Sequence, residues 1–184
     1  MGLLEWFNKG MNVEEYLETM KVNKDEMLSI YNRFHLSDQQ LEELSLLKDQ
    51  SLKVIVLTED WCGDAMLNNP VLLKIAENTG MEVRFLLRDQ NLELMDQYLT
   101  NGTSRAIPIF IFIDGEGVEK AVWGPRASEI QTMVDELRSK LPDKNAEDFA
   151  DKQKEMITQL TTAYKQDSDL WSVVAGSIIG AFKK

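Results

Sequence analysis

Residues 52–60, LKVIVLTED, are β-branched and almost continuously apolar, the pattern of a strand buried on both faces. A strand of that kind needs helices on both sides of its sheet. Two further runs match it: MEVRFLL at 81–87 reads as a second central strand, and IPIFIFID at 107–114 as a third. Gly115-Glu116-Gly117 is a turn, and VEKAVW at 118–123 a fourth strand that pairs with the third as a hairpin.

Helical patterns fill the intervals. Asn12 caps VEEYLETM, KDEMLSIYNRF spaces its apolar residues at roughly helical intervals, and Ser37 with Gln40 forms a capping box before LEELSLLK. Residues 63–78 read as a helix in which Pro70 predicts a kink. NLELMDQYL at 91–99 reads as a short helix and 127–140 as an amphipathic one. Pro142-Asp143-Lys144-Asn145 breaks the chain, and only helical sequence follows. There Phe149, Met156, Leu160 and Ala163 share one face, while Trp171, Val174, Ile178 and Phe182 form a stripe offset around Asp167 and Ser168. The expected organisation is a helical extension over 1–39, an α/β domain over 40–141 and a second helical extension over 142–184.

The 184 residues are 43% apolar and 28% charged, enough to bury a sizeable core without disulfides or metals. A formal net charge of −11 argues against nucleic acid, anionic membrane surfaces and anionic ligands, since no run of Lys and Arg supplies a local basic patch to override the field. The opening MGLLEWFNKGMN has neither the basic start and apolar core of a signal peptide nor the Ser/Thr of a myristoylation signal. The most apolar segment, Leu170 to Phe182, has 13 residues and is too short for an ordinary membrane span. Gly176 and Gly180 give it a weak small-xxx-small spacing, so docking on the protein's own surface or self-association through this helix is expected. With one cysteine no intramolecular disulfide can form. The expected setting is the cytoplasm.

That cysteine stands at the first strand-to-helix junction, in Trp61-Cys62-Gly63-Asp64-Ala65. The order of elements, the Trp-Cys-Gly at this junction, Ile107-Pro108 before the next strand, the Gly115-to-Gly117 turn and Gly124 after the hairpin together resemble thioredoxin over about residues 40–140. The resemblance implies a three-layer α/β fold with a mixed central sheet and helices on both faces. The family's active site is Trp-Cys-Gly-Pro-Cys. Cys62 therefore corresponds to the attacking cysteine, and Ala65 replaces the resolving one. Val56 falls where the family has the buried acid that serves the resolving thiol, so the two losses agree. The resemblance also implies a cis proline at Pro108, beside the thiol, and a peptide groove formed by Trp61, Gly63, Ala106, Ile107 and Pro108.

Elementary chemistry allows part of the parent reaction. A helix N-terminus lowers a thiol's pKa, whereas Glu59, Asp60 and Asp64 oppose a further negative charge, unless Asp64 faces outward. The thiolate can attack a disulfide to give a mixed disulfide, and an outside thiol must then release it. The acidic surroundings favour a protein or zwitterionic thiol over anionic glutathione. The groove could also hold a peptide by strand addition with the thiol inert. Arg105 and Arg126 flank it in sequence and read as surface arginines. His35, the only histidine, has no ligand-spaced partners and reads as structural, so no metal or cofactor is expected. The expected function is thiol-disulfide exchange through Cys62 as a single nucleophile, and the competing one a redox-inert binding module that uses the groove or the helical tail. A peroxidase-type use of glutathione finds no recognisable binding set.

Overall fold

The computed structural model describes all residues, 1–184. Its sheet has four strands: β1 (Lys53–Thr58), β2 (Glu82–Leu87), β3 (Ile109–Ile113) and β4 (Glu119–Trp123), in the order β2-β1-β3-β4. β1 and β2 are parallel, as their helical crossover requires, and the pairs β1–β3 and β3–β4 are antiparallel. Alternation along the strands sorts their side chains into two cores. Val54, Val56, Phe85, Phe110 and Phe112 face one side, and Ile55, Leu57, Ile109, Ile111 and Ile113 face the other.

The larger core is covered by α3 (Lys24–Arg33), α4 (Asp38–Ser45), α5 (Gly63–Thr79), α7 (Ser128–Ser139) and α9 (Ser168–Gly180). The smaller core is closed by α1 (Leu3–Lys9), through Trp6 and Phe7, and by α6 (Leu92–Met95), through Leu94 and Met95. This is the three-layer α/β fold with helical extensions. α1 lies within the helical extension expected over 1–39, although its seven residues are too few for a periodic signal of their own. α6 is also shorter than the segment expected over 91–99, ending at Met95. α5 runs through Pro70 without interruption.

The N-terminal extension is bound to the sheet. α2 (Val13–Thr19) carries Tyr16, whose ring stacks on Phe85 at 4.3 Å. Met11 bridges the outer edge of β2 by exchanging both backbone hydrogen bonds with Phe85, at 2.8 and 2.9 Å.

The C-terminal extension forms a helical hairpin, α8 (Phe149–Gln166) followed by α9. α9 buries Trp171, Val174, Ala175, Ile178 and Ile179 in the larger core. Polar contacts hold it in place: Trp123 Nε1 donates to Ser177 Oγ at 2.8 Å, and Gln40 Nε2 to the Ser172 carbonyl at 3.1 Å. The apolar stripe is thus covered by the chain itself. No helix is long and apolar enough to cross a membrane. α8 is more exposed, and among its residues only Tyr164 is fully buried.

Candidate functional site

β1 ends at Thr58, and the chain crosses a short loop to Cys62, the N-cap of the 17-residue helix α5. The N-cap position makes Sγ the acceptor for an otherwise unpaired first-turn amide: Ala65 N–H donates to it at 3.5 Å. On its other side the thiol donates to the Ile107 carbonyl, also at 3.5 Å. Cys62 is 9% exposed and packs in the smaller core with Ala65 and Ile107.

Burial is the main influence on the thiol and pushes its pKa up; the amides of Ala65 and Asp64 pull it down, and the net shift is upward. Of the three acids suggested by sequence, only Asp64 opposes thiolate formation, and Arg126 counters it. Glu59 turns away to accept the Asp89 amide at 3.0 Å. Asp60 accepts the Lys21 and Val22 amides at 2.7 and 3.3 Å, fastening the loop to the N-terminal extension. Tyr16, buried against Phe85, has a pKa pushed up to about 12, mainly by burial.

Asp64 does not face outward. Its carboxylate takes a two-point contact from Arg126, Nε to Oδ1 at 3.0 Å and Nη2 to Oδ2 at 2.8 Å, and accepts the Tyr164 hydroxyl at 2.9 Å. The expectation that Arg126 is a surface arginine is therefore corrected: its side chain is 16% exposed and its guanidinium clamps the first turn of α5. Arg105 is exposed and paired with Asp96 at 2.8 Å. The third member of the clamp, Tyr164, was not expected. It lies 100 residues from Asp64, and a lone tyrosine on an amphipathic face carries no sequence signal of such a contact.

The Ile107–Pro108 peptide bond is cis. Ile107 and Pro108 are buried and Ala106 is half-buried. The Ile107 amide makes no hydrogen bond within the chain. Trp61 stands at the rim, 52% exposed, with the Arg88 guanidinium 5.1 Å from its ring centroid. Gly63 lies under α8, where an added Cβ would meet Thr161 Cγ2 at 3.4 Å. Gly124, at φ +133°, lets the chain pass the Pro108 carbonyl, which an added Cβ would meet at 2.2 Å. His35 is exposed, and no three His, Cys, Asp or Glu side chains converge as metal ligands.

A mixed sheet with a cysteine capping the helix after its central strand, its sulfur against the carbonyl that precedes Pro108, defines a thioredoxin-fold protein. Two crystal structures share the fold over 100% of this chain and 98% of theirs: a protein of unknown function from Pseudomonas aeruginosa (TM-score 0.72, 13% identity) and an HIV epitope-scaffold (TM-score 0.72, 14% identity). No curated protein matches the sequence significantly. The family model described as thioredoxin matches residues 10–138, and the chain belongs to the thioredoxin family.

Proposed function

We propose that this protein carries out thiol-disulfide exchange through Cys62 alone. The supporting observation is the placement of Sγ, which caps α5 against the Ala65 amide and touches the carbonyl that precedes Pro108. The reaction is balanced by the partner: the Cys62 thiolate attacks one sulfur of a disulfide, an S–S bond forms to the protein, and the other sulfur leaves as a thiolate. Ala65 offers no second thiol, so an external thiol must reduce the mixed disulfide. Burial keeps the resting thiol protonated at neutral pH, which makes it slow toward small reagents. The setting we infer is the cytoplasm, where thiols stay reduced.

Alkylation of the native protein across pH, read by intact mass, tests this. Labelling without denaturant, with a midpoint above the ordinary thiol value of about 8.5, is the expected result. A thiol that labels only after denaturation overturns the proposal.

One observation favours a second reading, a redox-inert peptide-binding module. The Ile107 amide, which makes no hydrogen bond within the chain, offers a strand-addition contact that needs no thiol. Cys62→Ser separates the two, since it abolishes exchange and leaves peptide binding intact.

A further inference from the structure

A cleft of about 620 Å³ runs between α7 and α8 and opens at Gly63, the residue after Cys62. Its apolar lining is Val134, Leu141, Met156, Ile157 and Leu160, with Phe149 at the far end. Its volume lies within the range of small-molecule sites. The charges that line it run against those of the chain. In a protein of net charge −11, this cleft carries Arg126, Arg138 and Lys144 against one carboxylate, Asp64.

Those charges are also arranged along its length. At the Gly63 end, Arg126 is occupied by Asp64. At the other end, Arg138 from the last turn of α7 and Lys144 from the α7–α8 linker have no carboxylate partner. The nearby linker acids Asp143 and Glu147 do not line the cleft, and Asp143 accepts the Asn145 amide instead. From Phe149 to Thr161 the α8 wall extends about 18 Å at 1.5 Å per residue.

We infer that this cleft binds a small anionic amphiphile, its acidic head between Arg138 and Lys144 and its aliphatic tail lying between α7 and α8 toward Gly63. An extended peptide fits less well. Both walls are helices whose backbone groups are bonded internally, so a peptide backbone laid there would lose hydrogen bonds to water without replacement. An alkyl chain has no such groups, and Met156 adapts its shape to one. This site does not depend on the chemistry of Cys62.

Calorimetric titration of the full chain with dodecanoate, below its micelle concentration, tests the inference, with dodecyltrimethylammonium as the probe of equal tail and opposite charge. Saturable one-to-one binding of dodecanoate alone is expected. The double substitution Arg138→Glu, Lys144→Glu should weaken it by about tenfold or more. Ile157→Glu, at a residue 50% exposed and so tolerant of the change, should abolish it with the circular dichroism spectrum intact. Absence of saturable dodecanoate binding, equal binding of the cationic probe, or unaltered binding by the variants would each overturn the inference. So would binding of an acidic, leucine-rich peptide in place of dodecanoate.

Discussion

Cys62 is held between two opposing influences: the first-turn amides of α5 draw charge onto the sulfur, and the apolar surroundings resist it. Burial prevails, and the thiol pKa rises in the folded state. The folded protein then holds the thiol proton more tightly than the unfolded chain does. Stability from this source is complete below the ordinary thiol pKa of about 8.5 and lost as pH climbs through the folded value. Urea midpoints measured from pH 7 to pH 10 should therefore fall for the native sequence, and Cys62→Ser should flatten that fall. A steeper fall in the variant would contradict this assignment. The Asp64 clamp makes a second prediction at this scale. Asp64→Asn leaves the Arg126 guanidinium, 16% exposed, without its counter-charge and should cost on the order of 3 kcal/mol. Tyr164→Phe, which removes one hydrogen bond, should cost about 1 kcal/mol. Denaturant unfolding checks both.

At the scale of elements, the Ile107–Pro108 segment is set by how closely β4's exit passes Pro108. Gly124→Ala places a methyl group 2.2 Å from the Pro108 carbonyl at a φ of +133°, so the wall of the site must move. The variant should lose several kcal/mol of stability or fail to fold, as thermal melts would show. α9 is fixed by its buried aromatic: Trp171→Ala should cost about 3–5 kcal/mol, because the indole is fully buried and donates to the Tyr164 carbonyl at 2.7 Å.

The same elements show what sequence could and could not reveal. The strands were legible because both faces of β1 and β3 are apolar, and the residues around Cys62 and Pro108 because they lie together in an ordered motif. The short helix α1 was hidden by its length, and the end of α6 at Met95 by the polar turn beyond it. The sign of the thiol shift was not legible, because it turns on burial of a side chain by residues from distant segments. The roles of Arg126 and Tyr164 escaped for the same reason: they are made by contacts across 62 and 100 residues of chain.

Across the whole molecule, the extensions complete the thioredoxin-family domain. α1 covers the smaller core, α2 adds Tyr16 to the larger one, Asp60 ties its loop to the residues after α2, and α9 fills the core beneath α5. α8 joins these roles to the site, with Thr161 against Gly63 and Tyr164 on Asp64. The one thiol is left 9% exposed, whereas Trp61 beside it in the chain is 52% exposed. The most direct measurement is the intact mass of the native protein after incubation with cystamine, a cationic disulfide suited to an acidic surface, at pH 9. Exchange through Cys62 predicts one cysteamine adduct per chain, stable until an external thiol is added and absent in Cys62→Ser. Failure of the native protein to form the adduct, under conditions where the urea-unfolded chain does form it, would contradict a nucleophilic role for Cys62.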